Sequence, residues 1–178
     1  MSVVVRQTSE TKIRVEVARG SGKADVSTGH PFFDHMLTTF ARYSGLDLQV
    51  EASGDLTHHL MEDVAISVGA AVRQVIPPTA ARYVDKVVPM DDALVHAAVD
   101  VGGRFYYRGK LPNRLYEHWM RSFADHARAT VHIRVLRTGY RHHVIEAAFK
   151  ALGLALREAL VESGTVFSTK GAVSLEVK

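Results

Sequence analysis

Short stretches in which apolar and polar residues alternate are separated by longer runs in which apolar residues recur every three or four positions. Alternation is the pattern of a half-buried strand, and the longer spacing is the pattern of one buried helix face. The run that begins at Pro31 has the second pattern, and Ser44-Gly45 ends it. The predicted strands are residues 3–5, 13–17, 46–50, 93–101, 104–108, 129–136 and 173–177. Strands 93–101 and 104–108 are predicted to pair through a turn at Gly102-Gly103. The predicted helices begin at Pro31, at the histidine pair 58–59, near Tyr116 and at the histidine pair 142–143.

The order of these elements repeats once along the chain. Residues 1–85 give strand, strand, helix, strand and helix, and residues 86–178 give that order again, with Pro77-Pro78 near the boundary. A single such unit would leave one face of its helices exposed, and packing two units through their helices removes that exposure. We therefore predict an α+β fold built by tandem duplication of a β-β-α-β-α unit. Its helices pack together between two mixed β-sheets, and the two repeats form one globular unit.

The sequence HHLMED at 58–63 returns as HHVIEA at 142–147, each time ahead of an apolar helical run. In the first turn of a helix, the glutamate of each motif lies one turn from both histidines. Neighbouring helix residues differ in direction by about 100°, so each histidine pair serves two ions, or one ion and the substrate. We interpret the six histidine and glutamate side chains of the two motifs as a duplicated metal site. The alternative is two helix N-termini, each with a stabilising carboxylate. The six candidate ligands are His58, His59, Glu62, His142, His143 and Glu146.

Cysteine is absent from the 178 residues, whereas histidine occurs ten times. Disulfides and thiolate sites are therefore excluded, and imidazole and carboxylate must hold any metal, which suits manganese, iron, cobalt or zinc. His35, beside Asp34, and His132, in an alternating strand, would raise the number of ligands to eight, although each is alternatively a solvated or packing residue. Two ions with four ligands each leave positions open for a substrate, which is typical of catalysis. The remaining histidines are interpreted as surface or packing residues: His30, His96, His118 and His126.

Several cationic and hydroxyl side chains suggest that the same site binds an anion. Lys150 is one turn after Glu146 on the same predicted helix, so a cation lies beside the proposed metal ligands. Together with a serine hydroxyl and backbone donors before a glycine, such cations would form a phosphate clamp. Singly, each is an ordinary solvated charge. The candidate phosphate-binding residues are Arg82, Arg104, Lys150, Ser168 and Lys170.

Glu10 lies in the sequence TSET between the first two predicted strands. A carboxylate in such a turn can approach a neighbouring site, so Glu10 is the candidate for a mobile general base. An exposed turn residue without a catalytic role is the alternative.

Charge and apolar content limit the possible partners. The net charge is +3, and the basic residues are dispersed without the interleaved aromatics of a base-stacking surface, so we expect no nucleic-acid partner. The chain begins MSVVVRQTSETKIRV, without the pattern of a secretion signal, and no apolar run approaches the length of a membrane span. We therefore expect no membrane partner, a cytoplasmic location and a small-molecule substrate.

Five stretches of the chain resemble, in order, the motifs of the imidazoleglycerol-phosphate dehydratase family of histidine biosynthesis. They are STGHPFFDHML, HHLMEDVAISVGAA, PMDDALVHAAVDVGGR, HHVIEAAFKALGLALREA and FSTKG. The resemblance covers nearly the whole chain. It implies a duplicated α+β fold, two manganese ions per subunit, and a homo-oligomer of 24 subunits with active sites at subunit contacts. One departure lies before His58, where only Thr57 follows Gly54-Asp55-Leu56 and the family has a longer acidic connection.

The resemblance also implies a role for each candidate residue. Glu10 matches the family's acid/base carboxylate. The implied phosphate contacts are Arg82, Arg104, Lys150, Ser168 and Lys170. The implied manganese ligands are His35, His58, His59, Glu62, His132, His142, His143 and Glu146.

The implied reaction is that of a hydro-lyase, which removes water from D-erythro-imidazole glycerol phosphate to give imidazole acetol phosphate. The substrate ring would bind manganese, and a diazafulvene-type intermediate would make the neighbouring proton removable. A binuclear metal hydrolase of a phosphorylated metabolite is one alternative, which would release phosphate or cleave a bond. A metal-assembled storage or shell protein is another, and it would give the basic residues no shared task.

Overall fold

The computed structural model describes residues 1–166 of the chain. The first half contains β1 (Ser2–Gln7), β2 (Thr11–Arg19), β3 (Ala24–Ser27), α1 (Pro31–Ser44), β4 (Leu46–Gly54) and α2 (Thr57–Val75). The second half contains β5 (Tyr83–Met90), β6 (Ala93–Asp100), β7 (Tyr106–Gly109), α3 (Arg114–His126), β8 (Thr130–Arg137) and α4 (Arg141–Ala159).

Each half forms one four-stranded sheet, and the two sheets have the same topology. The strand orders are β1-β2-β4-β3 and β5-β6-β8-β7. In each sheet one short strand pairs in parallel with its neighbour, β3 with β4 and β7 with β8, while the other pairs are antiparallel. The prediction of a duplicated α+β fold with two mixed sheets is confirmed.

The helices lie between the sheets and pair across the two halves. Helices α1 and α2 pack on the first sheet, α3 and α4 contact the second, and the helix pairs are α1 with α4 and α2 with α3. Trp119 and Phe123 of α3 are fully buried and contact Phe40 of α1, with ring centroids 5.8 and 5.4 Å apart. The two repeats therefore share one aromatic core.

Two glycines allow the paired helices to approach closely. A Cβ on Gly69 of α2 would lie 2.5 Å from the Phe123 carbonyl oxygen of α3, and one on Gly153 of α4 would lie 2.9 Å from Tyr43 Cβ of α1. Both distances are shorter than side chains tolerate, so these positions require glycine. Helix α2 therefore packs closely on α3, and α4 packs closely on α1.

Three edge strands were missed or mispaired, because edge strands carry a weak signal. The polar stretch after residue 22 contains β3, in which Val26 is the one residue that is partly buried. Residues 104–108 were predicted to pair with 93–101, yet β7 pairs in parallel with β8, and β6 pairs with β5 and β8. No strand was predicted at β5, an edge strand that includes Pro89, and the proposed boundary between residues 85 and 86 falls inside it. The predicted strand at 173–177 lies outside the described residues.

Among residues 1–166, no helix has both the length and the apolar content needed to cross a membrane.

Candidate active site

The two histidine pairs lie where the sequence pattern puts them. Helix α2 begins at Thr57 and α4 begins at Arg141, so each pair occupies the second and third positions of its helix. Both helices follow strands of their own sheets, β4 and β8. The two motifs therefore lie in the first turns of α2 and α4, within the helical layer between the sheets.

The first cluster joins α1 and α4, and we name it the α1–α4 cluster: His35, His142 and Glu146. His142 Nε2 lies 3.1 Å from Glu146 Oε2, and His35 Nε2 lies 3.6 Å from the same oxygen. The two imidazole rings are 6.3 Å apart with their planes inclined by 29°, and the Phe32 ring centroid lies 4.8 Å from that of His142. The three potential ligand atoms all lie within 4.8 Å of one another, which fits a single cation.

Glu146 is buried, with 7% of its surface exposed, and Lys150 Nζ lies 2.9 Å from its Oε1. Burial alone would raise the pKa of Glu146. The hydrogen bond and charge of Lys150, helped by His35, outweigh burial and hold the pKa below its ordinary value. The Glu146 carboxylate is therefore ionised at neutral pH, in the state that binds a metal ion.

The second cluster joins α2 and α3, and we name it the α2–α3 cluster: His58, Glu62 and His118. His58 Nε2 lies 3.5 Å from Glu62 Oε2, and His118 Nε2 lies 3.1 Å from Glu62 Oε1. The rings of the two histidines are 5.1 Å apart. Here too the three potential ligand atoms lie within 4.8 Å of one another. The sequence prediction treated His118 as a surface or packing residue and missed this contact.

The second histidine of each pair faces carboxylates from the hairpin of its own repeat or the residues before its helix. His59 Nδ1 lies 3.0 Å from Asp55 Oδ1 and 3.4 Å from Glu10 Oε2. The hydrogen bond to Asp55 raises the pKa of His59, with the charge of Glu10 adding to it. Glu10 is thereby placed beside a candidate ligand, as a catalytic carboxylate requires.

The equivalent histidine of the second repeat has the same kind of partner. His143 Nδ1 lies 2.8 Å from Asp92 Oδ1, and its Nε2 lies 3.5 Å from Asp91 Oδ2. Hydrogen bonds from His143 and from the Tyr140 backbone lower the pKa of Asp92. The turn between β5 and β6 thus occupies the place that the Glu10 turn occupies in the first repeat.

The eight predicted metal ligands do not form one group within a single chain. His132 is exposed on β8, with its ring 5.4 Å from that of Tyr106. His59 and His143 point to carboxylates and not to the two clusters of their own chain. Sequence periodicity located the helices but could not show which side chains meet.

The candidate phosphate-binding residues are distributed over two places. Lys150 lies at the α1–α4 cluster, where its ammonium also contacts the Tyr43 ring and Met90 Sδ. Arg82 forms a salt bridge with Asp100, and its Nη2 lies beside Gly103, the residue before the exposed Arg104. Ser168 and Lys170 lie outside the described residues.

Fold and side chains together define a class: a duplicated α+β protein in which each of two helix pairs brings two histidines and one glutamate within ligand distance.

Comparison with known proteins identifies the family. The family model for imidazoleglycerol-phosphate dehydratase matches residues 28–156. The imidazoleglycerol-phosphate dehydratase of Salinibacter ruber is 45% identical over 192 aligned residues, which cover 97% of this chain and 95% of that protein. The chain belongs to the imidazoleglycerol-phosphate dehydratase family.

Solved structures agree with this assignment. The enzyme from Pyrococcus furiosus, solved in complex with (S)-C348, is 40% identical with a TM-score of 0.85, and the match covers 96% of this chain and 100% of that one. The enzyme from Staphylococcus aureus is 34% identical with a TM-score of 0.80, over 90% of this chain and 99% of that one. The predictions of this family and of a hydro-lyase are confirmed.

Proposed function

We propose that the chain removes water from D-erythro-imidazole glycerol phosphate to give imidazole acetol phosphate in histidine biosynthesis, in the cytoplasm. The observation that carries the proposal is the pair of matched clusters, each with two imidazoles and one carboxylate within 4.8 Å of one another. Membership of the dehydratase family supports the same reaction.

We propose two manganese ions per subunit as the cofactor. The nitrogen and oxygen donors of the clusters, without sulfur, fit this metal. Because each cluster supplies only part of a coordination shell, we propose that a neighbouring subunit of a 24-subunit homo-oligomer completes it with the ligands that lie apart here. The full proposed set is His35, His58, His59, Glu62, His132, His142, His143 and Glu146.

The reaction is difficult because the carbon that loses a proton has no adjacent carbonyl to make it acidic. Bound manganese would supply Lewis-acid stabilisation of the substrate's imidazole ring. The ring would give up its N–H proton, and its electrons would expel hydroxide from the carbon that bears the ring, so that one water is lost. The resulting diazafulvene-type species would have an acidic proton on the next carbon. Glu10 would remove that proton as general base, a proton would return to the ring nitrogen, and the resulting enol would become the ketone.

Glu10 and the phosphate-binding residues have separate proposed roles. The Glu10 side chain is half exposed, at 51%, and lies 3.4 Å from His59, so it can move between the ligand and a substrate. Lys150, Arg82, Arg104, Ser168 and Lys170 bind the phosphate and fix the direction of the substrate, which contributes to the rate by positioning.

A product assay tests this proposal. The purified chain is incubated with imidazole glycerol phosphate and manganese, and the products are followed by proton and phosphorus NMR. The expected result is imidazole acetol phosphate with its phosphate ester intact. Release of inorganic phosphate would instead indicate a hydrolase, and no turnover at all would indicate a protein that only holds metal.

A further inference from the structure

Arg82 lies directly before β5 in a backbone conformation that is uncommon for a residue with a side chain. Its φ is 71°, in the left-handed region that favours glycine. Its backbone N–H donates to the Ala159 carbonyl at 3.1 Å, and the N–H of Val101 donates to the Arg82 carbonyl at 3.3 Å. Such a conformation persists only where the surrounding structure fixes it, and it sets the direction in which the side chain leaves the backbone.

The carboxylate of Asp100, the last residue of β6, holds the other end of that side chain. Arg82 Nε donates to Asp100 Oδ1 at 3.0 Å, and Arg82 Nη2 donates to Asp100 Oδ2 at 3.2 Å. We name this pair of hydrogen bonds the Arg82–Asp100 fork. Two parallel hydrogen bonds fix the plane of the guanidinium as well as its distance. The two side chains are only 21% and 23% exposed, so solvent and salt screen the pair less than a surface pair.

The ring of Tyr83 restricts one face of the same guanidinium. Arg82 Cζ lies 4.9 Å from the centroid of that ring, within the range of a cation–π contact. A planar guanidinium has five N–H groups, and the Arg82–Asp100 fork uses the edge formed by Nε and Nη2. The edge formed by Nη1 and Nη2 is therefore directed away from Asp100, and a phosphate would be bound there.

The turn after β6 brings a second arginine to the same place. A Cβ on Gly103 would lie 3.3 Å from Arg82 Nη2 and 3.2 Å from Asp100 Oδ2, so this turn passes close to both groups. Arg104 is the next residue and is exposed, and Thr130 Oγ1 donates to its carbonyl at 3.0 Å. The Arg82–Asp100 fork thus holds Arg82 against the turn that carries Arg104.

We infer that Asp100 is a positioning residue for the substrate phosphate and acts through Arg82. It holds the Arg82 guanidinium beside Arg104 in the orientation that binds the phosphate, without touching the phosphate itself. The inference rests on the proposed function, in which both arginines bind this group. A carboxylate beside Arg82 also cancels part of the positive charge, so its removal would strengthen phosphate binding if charge alone mattered. Positioning predicts the opposite result.

Two substitutions break the Arg82–Asp100 fork from its two sides. Asp100→Asn keeps the size of the side chain but leaves one acceptor oxygen in place of two. Arg82→Lys keeps a cation beside Asp100 but replaces the planar guanidinium by a single ammonium. Arg82→Ala and the double variant Arg82→Ala/Asp100→Asn complete a double-mutant cycle. The control is Asp85→Asn on β5 of the same sheet, where Asp85 Oδ2 lies 2.9 Å from His96 Nε2.

Steady-state dehydration of imidazole glycerol phosphate is measured with the full-length, manganese-loaded proteins. Elemental analysis checks the manganese content, and thermal unfolding checks the fold. We expect Asp100→Asn and Arg82→Lys each to raise KM about tenfold, the change that loss of one charge-assisted hydrogen bond brings. Because the other phosphate-binding residues still direct the substrate, kcat should stay within about threefold of the parent value. The double variant should have the KM of Arg82→Ala, and Asp85→Asn the KM of the parent.

Other values of KM would overturn the inference. A lower KM in Asp100→Asn would show that the carboxylate only reduces the charge of the site, and an unchanged KM with a lower Tm would show a purely structural pair. A KM in the double variant above that of Arg82→Ala would show that Asp100 affects binding without Arg82. If Asp100→Asn does not fold, Arg82→Lys decides the question, since a parental KM there would show that the fork is not needed.

These results distinguish failure of this inference from failure of the proposed function. If the parent dehydrates the substrate and Asp100→Asn keeps the parental KM, only the positioning role is lost. If Arg82→Ala has the parental KM, Arg82 does not bind the phosphate, and the inference is overturned while the reaction stands. A parent that fails to dehydrate imidazole glycerol phosphate overturns both.

Discussion

Thr11 Oγ1 donates a hydrogen bond to Asp63 Oδ2, so the residue after Glu10 is tied to the residue after Glu62. Asp63 is buried, and Arg6 Nε lies 2.8 Å from its other oxygen. The backbone N–H groups of Glu10 and Thr11 donate to Thr8 Oγ1 at 3.1 and 3.0 Å. The turn that carries the proposed base is thereby fixed against the helix that carries three proposed ligands.

Thr11→Val should loosen this attachment. The substitution leaves the buried Asp63 carboxylate without one donor, so we expect the free energy of unfolding to fall by about 1–3 kcal/mol. Turnover should fall as well, because the Glu10 turn loses its anchor. Urea unfolding and kcat are measured alongside Thr130→Val, which removes an exposed hydrogen bond to the Arg104 carbonyl. Equal stability losses in the two variants would contradict the anchoring role.

Glu10→Gln should separate catalysis from binding. The amide keeps the size of the side chain but cannot accept the substrate's proton, so we expect kcat to fall by about 10²–10⁴-fold. Manganese content and substrate binding should remain near those of the parent. Glu16→Gln, which removes a carboxylate from β2, is the control for charge. Normal turnover by Glu10→Gln would show that the base is another group.

Lys150→Met should destabilise the metal-free protein. The side chains of Lys150 and Glu146 are only 17% and 9% exposed, so removal of the ammonium leaves a buried carboxylate with only the imidazoles of His35 and His142 beside it. We expect a loss of about 2 kcal/mol, below the range for a fully buried pair. The matched control is Lys86→Met, since Lys86 pairs with Glu158, whose side chain is 56% exposed. Its loss should be at most about 1 kcal/mol, and equal losses would contradict the effect of burial.

Asp47 should make stability depend on pH in the acid range. The backbone N–H groups of Lys23 and Ser21 donate to its carboxylate and lower the pKa of Asp47 from 3.8. Because the folded pKa is the lower one, the stabilisation is complete above pH 3.8 and is lost as the pH falls through the folded value.

Thermal unfolding of the parent and Asp47→Asn between neutral pH and pH 3 measures this dependence. The difference in Tm should be largest near neutral pH and should shrink as the pH falls below 3.8. Asp25→Asn, at an exposed position of β3, controls for the change in net charge. A difference that grows in acid would contradict the assignment.

Local sequence patterns predicted the parts of the fold that depend on neighbours in the chain. Helix α1 begins at Pro31, and both histidine pairs lie in first helical turns, because the apolar period and the breakers are local signals. Strands β3 and β7 were missed or mispaired because each depends on a parallel partner, β4 or β8, distant along the chain. The sequence of a short edge strand contains little pattern from which its parallel partner could be predicted.

The candidate site was predictable to a similar extent. Spacing alone put His58 and His142 one turn from Glu62 and Glu146, and the structure has those distances. It could not single out His118, because only the packing of α3 on α2 brings its ring to Glu62. The duplication was the available signal, since aligning α1 with α3 matches His118 to His35.

Metal removal tests the central claim most directly, that paired imidazole and carboxylate clusters hold the ions on which dehydration depends. The protein is treated with a chelator until elemental analysis finds no bound metal, and conversion of imidazole glycerol phosphate is measured before and after manganese is restored. We expect turnover to disappear with the ions and to return as two manganese ions bind per chain. Undiminished turnover by the metal-free protein would contradict the account.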